Sequence, residues 1–182
     1  MLANLPPKQP NYTKKKPWKK GTCLIVGDST LNGLNESKMS YNGTIVVRSF
    51  PGAVVGDFYN YLEPLMEKLP SKLIIHAGTN DSISKSSTDI LNELLYLKTY
   101  IEERFRIEVC ISCPTIRVDD VNAKKTVTEL CLKLNQLDIK VICNKNINAT
   151  FLGRRGKHPG LNLTAKGCGR IAANFISYNR NH

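Results

Sequence analysis

From Gly21 onward, short apolar runs alternate with longer segments in which apolar residues recur every three or four positions. The runs fall at 23–26, 44–48, 72–77, 107–112 and 140–143. They are rich in β-branched residues and bounded by turn formers, a pattern that predicts buried parallel strands. Between them, Val54, Val55, Phe58, Tyr61, Leu62 and Leu65 share one helical face, closed by Pro70. Ile90, Leu94, Leu97 and Ile101 make a second face, with Ser87 or Thr88 as the expected N-cap. Val127, Leu130, Leu134 and Leu137 make a third, and Ile171, Phe175 and Ile176 place a last helix. Five strands and about five helices in βαβ order predict a three-layer α/β/α sandwich. Its sheet would be parallel and five-stranded, of flavodoxin-like type with right-handed crossovers.

Ligands of such sheets bind beyond the carboxyl ends of the strands. Ser29, Gly52, Asn80 and the loop after residue 143 all fall there. Gly27-Asp28-Ser29-Thr30 follows the first apolar run, and Gly78-Thr79-Asn80-Asp81 ends the third. A serine where a strand gives way to a helix is well placed as a nucleophile. Acyl transfer also needs a base and donors aimed at the developing oxyanion. The backbone N–H groups of Ser29 and Gly52 and the side-chain amide of Asn80 are the candidate donors. Asp28 and Asp81 read as braces that accept backbone N–H bonds. No GxGxxG or Walker-type loop follows the first strand, which argues against a phosphate-cradling nucleotide binder.

The 182 residues suit one domain, 21–182, preceded by an arm over 1–20 that holds four prolines, six lysines and no acid. Residues 139–182 hold eight Lys/Arg and again no acid. Of the net +11, then, the middle of the chain carries none: twelve basic residues face 15 acids there. Two basic ends on a near-neutral body favour polyanions such as nucleic acid, bound non-specifically and salt-sensitively. A solvated, solubilising surface explains the same charges. Trp18 in the arm could stack on a base or dock on the domain.

No apolar run is long enough to span a bilayer, and residues 1–7 lack the apolar core of a signal peptide. An intracellular location, cytoplasmic or nuclear, with reduced cysteines is the expectation. Cys110 and Cys113 form a CxxC without a second pair or clustered histidines, so packing rather than zinc or redox chemistry is expected of them. No metal or organic cofactor is implied. His76, on a strand, reads as buried and structural, His182 as part of a disordered end, and Asp119-Asp120 as a helix cap.

Taken together, these blocks resemble the SGNH (GDSL-type) hydrolase superfamily. Gly27-Asp28-Ser29 matches its first block, Gly52 its second and Gly78-Thr79-Asn80-Asp81 its third. The resemblance covers residues 21–178. It implies a serine esterase acting on a small ester, with Ser29 as nucleophile and Gly52 and Asn80 as oxyanion donors. Arg48-Ser49-Phe50-Pro51-Gly52-Ala53 and the ending 167–175 resemble a narrower group. These are the SGNH-like domains of invertebrate genomes related to esterase domains of non-LTR retrotransposon proteins.

The fourth block departs from the family pattern, which expects a histidine base leading into the final helix. Counting forward from Gly156, His158 takes that position, with about four extra residues before the helix. Counting back from Gly167, Asn162 takes it and the histidine is missing. No acid occurs after Asp138 to orient an imidazole, so a Ser29–His158 dyad is the most the sequence offers. Arg154, Arg155 and Lys157 would lower the pKa of that imidazole by like-charge repulsion. The alternative is a catalytically degenerate domain that binds RNA or DNA through its basic ends.

Overall fold

The computed structural model describes residues 16–40, 44–153 and 159–182. Among these residues, five parallel strands form one sheet: β1 (Cys23–Gly27), β2 (Ile45–Ser49), β3 (Lys72–His76), β4 (Glu108–Ser112) and β5 (Val141–Ile142). Their order is β2-β1-β3-β4-β5, the doubly wound arrangement predicted from the alternating runs. The helices are α1 (Glu36–Met39), α2 (Phe58–Met66), α3 (Ser87–Phe105), α4 (Val121–Asn135) and α5 (Ala165–Asn181).

Alternation along the strands divides the core in two. Leu24, Val26, Leu73 and Ile75 face Phe58 and Leu62 of α2, Leu94 of α3 and Leu130 of α4. Cys23, Ile25 and Ile74 face Met39 of α1 and Ile171 and Phe175 of α5. The same alternation separates the CxxC. Cys110 joins the α5 side and Cys113 the α3–α4 side, because an odd spacing on a strand puts two residues on opposite faces. Among the described residues no cluster of three or more His, Cys, Asp or Glu is disposed to hold a metal ion, and no helix is long and apolar enough to cross a membrane.

Three local expectations are corrected. The N-cap of α3 is Ser86, whose Oγ accepts the Asp89 N–H at 3.1 Å. Ser87 instead turns inward, where it is buried and donates to Glu129. The helix α2 ends at Met66 rather than running to Pro70, and Leu69, at φ 54°, takes up the reversal. A residue that precedes proline disfavours right-handed helix, so the chain turns before the proline arrives. His182 is ordered, stacked on Tyr178 at 4.5 Å between ring centroids. Of the arm, Trp18 docks on the domain: its N–H donates to the Lys68 carbonyl at 3.0 Å and the Lys68 ammonium lies 5.2 Å from its ring centroid.

Candidate active site

Register sets the site. Gly27 pairs with Ser49 on one side and His76 on the other, so β1, β2 and β3 end level at one rim. The crossovers diverge there, since β1 leads to β2 and β3 leads to β4 on opposite sides. That divergence opens the crevice in which such sheets bind ligands.

At Gly27 the chain passes so close to β3 that a Cβ would lie 2.5 Å from the His76 carbonyl oxygen and 2.6 Å from Leu31 Cδ1. Only glycine fits this approach. A 3-10 turn over Ser29–Leu31 follows, capped by Asp28, whose Oδ1 accepts from Thr30 N–H at 2.9 Å and Thr30 Oγ at 2.7 Å. Asp28 is buried, and desolvation pushes its pKa up against the pull of those two bonds. It braces the turn, as the sequence suggests, while Ser29 stays partly accessible.

The second segment is laced to the first. Ser49 Oγ donates to the Asp28 carbonyl at 2.7 Å, and Phe50 N–H donates to the Gly27 carbonyl at 2.8 Å. Phe50-Pro51-Gly52-Ala53 then closes a turn through Ala53 N–H to Phe50 C=O at 3.0 Å, with Gly52 at φ +81°. Proline second and a left-handed glycine third are the requirements of a type II turn. The exposed Gly52 thus has a backbone N–H without a Cβ beside it.

The third segment holds the second in place. Asn80 Nδ2 donates to the Ala53 carbonyl at 2.9 Å, which leaves its other N–H to point elsewhere. Buried Asp81 accepts Val55 N–H with both oxygens, at 3.2 and 3.1 Å, and pairs with Lys85 at 2.9 Å. Arg117, buried on the loop after β4, donates to the Thr79 carbonyl at 3.2 Å and pairs with Asp119. Neither Ser49 nor Arg117 stood out in the sequence. Both act on main-chain carbonyls of another segment, and no local pattern announces that.

The fourth segment brings an asparagine next to the serine hydroxyl. Ser29 Oγ lies 3.3 Å from Asn162 Oδ1. Asn162 sits on a short antiparallel bridge, Leu152 with Leu163, fixed by Gly153 N–H to Asn162 C=O at 2.8 Å and Thr164 N–H to Phe151 C=O at 2.8 Å. Thr164 is the N-cap of α5, its Oγ accepting Gly167 N–H at 3.2 Å. The residue reached by counting back from the final helix thus stands beside Ser29. His158 lies outside the described residues.

Other titratable groups stand apart. His76 is fully buried, with Nδ1 2.9 Å from Ser112 Oγ and its ring edge-on to Phe175 at 6.1 Å. Burial lowers its pKa to about 4, so it remains neutral and structural. Asp120 caps α4, accepting Ala123 N–H at 2.7 Å, as the sequence predicts for this pair.

The arrangement suits holding a carbonyl. A serine hydroxyl, a glycine N–H and an asparagine amide lie on the segments that leave three neighbouring strand ends. Among the described residues, the side chain beside the hydroxyl is an amide, which in either orientation takes a proton poorly.

A scan against protein-family models finds no match, and a search of curated proteins finds no significant one. Solved structures do match. A GDSL-like lipase of Bacteroides thetaiotaomicron superposes with a TM-score of 0.68 at 13% identity, over 88% of this chain and 88% of that one. A lipase/acylhydrolase of Enterococcus faecalis gives 0.66 at 15% identity, over 88% and 96%. A psychrotrophic esterase of Pseudoalteromonas, inhibited by monoethylphosphonate, gives 0.64 at 13%, over 88% and 97%. At these identities the likeness is one of fold: the chain has the α/β architecture of GDSL-type lipolytic hydrolases.

Proposed function

We propose that this protein is an attenuated SGNH-type acyl hydrolase. It binds the carbonyl of a small ester at Ser29 and turns it over slowly. The observation that carries this reading is the 3.3 Å contact between Ser29 Oγ and Asn162 Oδ1. Ser29 is the nucleophile, and Gly52 N–H and the second N–H of Asn80 steady the tetrahedral oxyanion. Each such donor is worth roughly 3 kcal/mol of barrier. Asn162 holds the hydroxyl in place but is a far weaker base than imidazole, so proton removal falls to water. Serine hydrolases stripped of a triad member keep roughly 10³-fold catalysis over water from the oxyanion donors and binding.

A second reading keeps His158 as the base of a Ser29 dyad. The ends of its loop favour it, since Gly153 and Gly160 are joined at 2.7 Å beside Asn162. Hydrolysis of p-nitrophenyl acetate by wild type, Ser29→Ala and His158→Ala separates the two. Attenuation predicts slow release that Ser29→Ala lowers further and His158→Ala leaves alone. Fast turnover lost in both variants overturns it in favour of the dyad.

The basic ends support a partner as well. Nucleic acid, held non-specifically, is the proposed polyanion, in keeping with the narrower resemblance to retrotransposon-related domains.

A further inference from the structure

Cys113 at the end of β4, Cys131 in α4 and Cys143 just beyond β5 line one cavity of about 500 Å³, together with Pro114, Leu132 and Asn135. Asn135 and the main chain beside Cys113 tie the first two cysteines together. Asn135 Nδ2 lies 3.4 Å from Cys113 Sγ and 2.6 Å from the Cys131 carbonyl oxygen. Cys131 Sγ lies 3.5 Å from the carbonyl oxygen of Pro114, the residue after Cys113. Cys113 is buried and faces the cavity it lines, Cys131 is half-buried and Cys143 is exposed. The carboxyl ends of β4 and β5 and the helix α4 supply this cluster, yet nothing in the acyl-transfer chemistry uses it.

The two sulfurs differ in character. The neighbouring Cys131 thiol lowers the pKa of Cys113, helped by the Asn135 amide and opposed by burial. The proximity of Cys113, with burial, raises that of Cys131. One thiol is thus the better thiolate and the other holds its proton. Cys23 and Cys110 contrast with Cys113, since burial pushes both to about 12 and leaves them inert.

We infer that Cys113 and Cys131 form a peroxide-responsive dithiol that closes to a disulfide through this cavity. The Cys113 thiolate attacks one oxygen of hydrogen peroxide and the O–O bond breaks. The departing hydroxide takes a proton from solvent and leaves as water, and Cys113 becomes a sulfenic acid. The Cys131 sulfur then attacks the Cys113 sulfur, the S–O bond breaks, and hydroxide leaves as water with the Cys131 proton. Two thiols are oxidised by two electrons and one peroxide is reduced to two waters. The new bond ties the start of the loop that carries Arg117 to α4.

The test treats the full chain with hydrogen peroxide, alkylates the remaining thiols and maps the peptides by mass spectrometry. The expected product is a Cys113–Cys131 disulfide, lighter than the reduced chain by two hydrogens and reversed by dithiothreitol. In Cys131→Ser, where the second step is blocked, dimedone should label Cys113. The wild-type map decides the matter should that variant fail to fold. Oxidation confined to Cys143, or a bond joining Cys143 to either partner, overturns the inference.

Discussion

An amide oxygen and an imidazole nitrogen can both sit 3.3 Å from a serine hydroxyl, yet only the imidazole becomes a good acid by taking its proton. The Ser29–Asn162 contact is therefore a positioning contact. Elsewhere single residues have pH-dependent consequences that can be measured. His76 is neutral in the fold with its pKa lowered to about 4, while in the unfolded chain it titrates near 6.5. As pH falls from about 6.5 to about 4 the unfolded chain gains a proton that the fold refuses, so stability declines by roughly 3 kcal/mol. Below that window both states are protonated and this loss stops growing. His76→Gln should flatten the decline between pH 6.5 and 4 in thermal melts, and an unchanged slope would contradict the assignment. Buried Asp28 has the opposite sign. Its raised pKa gives stability that is complete below the ordinary aspartate value and lost as pH rises through the folded one.

At the scale of elements, caps and register matter more than propensity. The Asp120 side chain satisfies the Ala123 N–H at 2.7 Å, and α4 both walls the α3 side of the core and carries Cys131. Asp120→Ala should lower unfolding free energy by about 1 kcal/mol in urea titration, without change in ester hydrolysis. A loss near zero would mean the cap is dispensable. These elements were largely legible because β-branched runs and helical faces bury the same residues the pattern marks. Cys23–Val26, Leu73–Ile75, Leu94 and Leu130 are all fully buried. The cap of α3 lies one residue before Ser87 and two before Thr88, and the sequence does not distinguish them because Ser86, Ser87 and Thr88 all carry capping hydroxyls. Only the turn's geometry chooses Ser86. The fourth block stayed ambiguous because a short loop absorbs an insertion on either side at little entropic cost. The bridge between Leu152 and Leu163 carries Asn162 to the serine, and no motif marks an isolated bridge.

At the scale of the whole molecule, the doubly wound sheet places Ser29, Gly52 and Asn80 on one rim, where hydrogen bonds lace them together. Ser49 reaches Asp28, Phe50 reaches Gly27 and Asn80 reaches Ala53. Lys and Arg without acids over 139–182 charge the last part of the fold, including Lys166 and Arg170 beside the Phe151 ring at 5.8 and 5.7 Å. Affinity for single-stranded RNA or DNA should fall roughly tenfold or more as salt rises from low to physiological concentration. It should drop again when residues 1–15 are removed, a truncation that keeps docked Trp18. Fluorescence anisotropy measures both, and binding indifferent to salt would dispose of a polyanion partner.

On the proposed reading, Ser29 has a carbonyl-holding site with the Asn162 amide where a base is needed. Asn162→His puts an imidazole at that place, and general base catalysis contributes roughly 10²-fold or more. The kcat/KM for p-nitrophenyl acetate should rise at least about tenfold over wild type, a gain of about 1.4 kcal/mol, and should vanish in the Ser29→Ala/Asn162→His double variant. A folded Asn162→His protein no faster than wild type would mean that Asn162 does not stand in the base position.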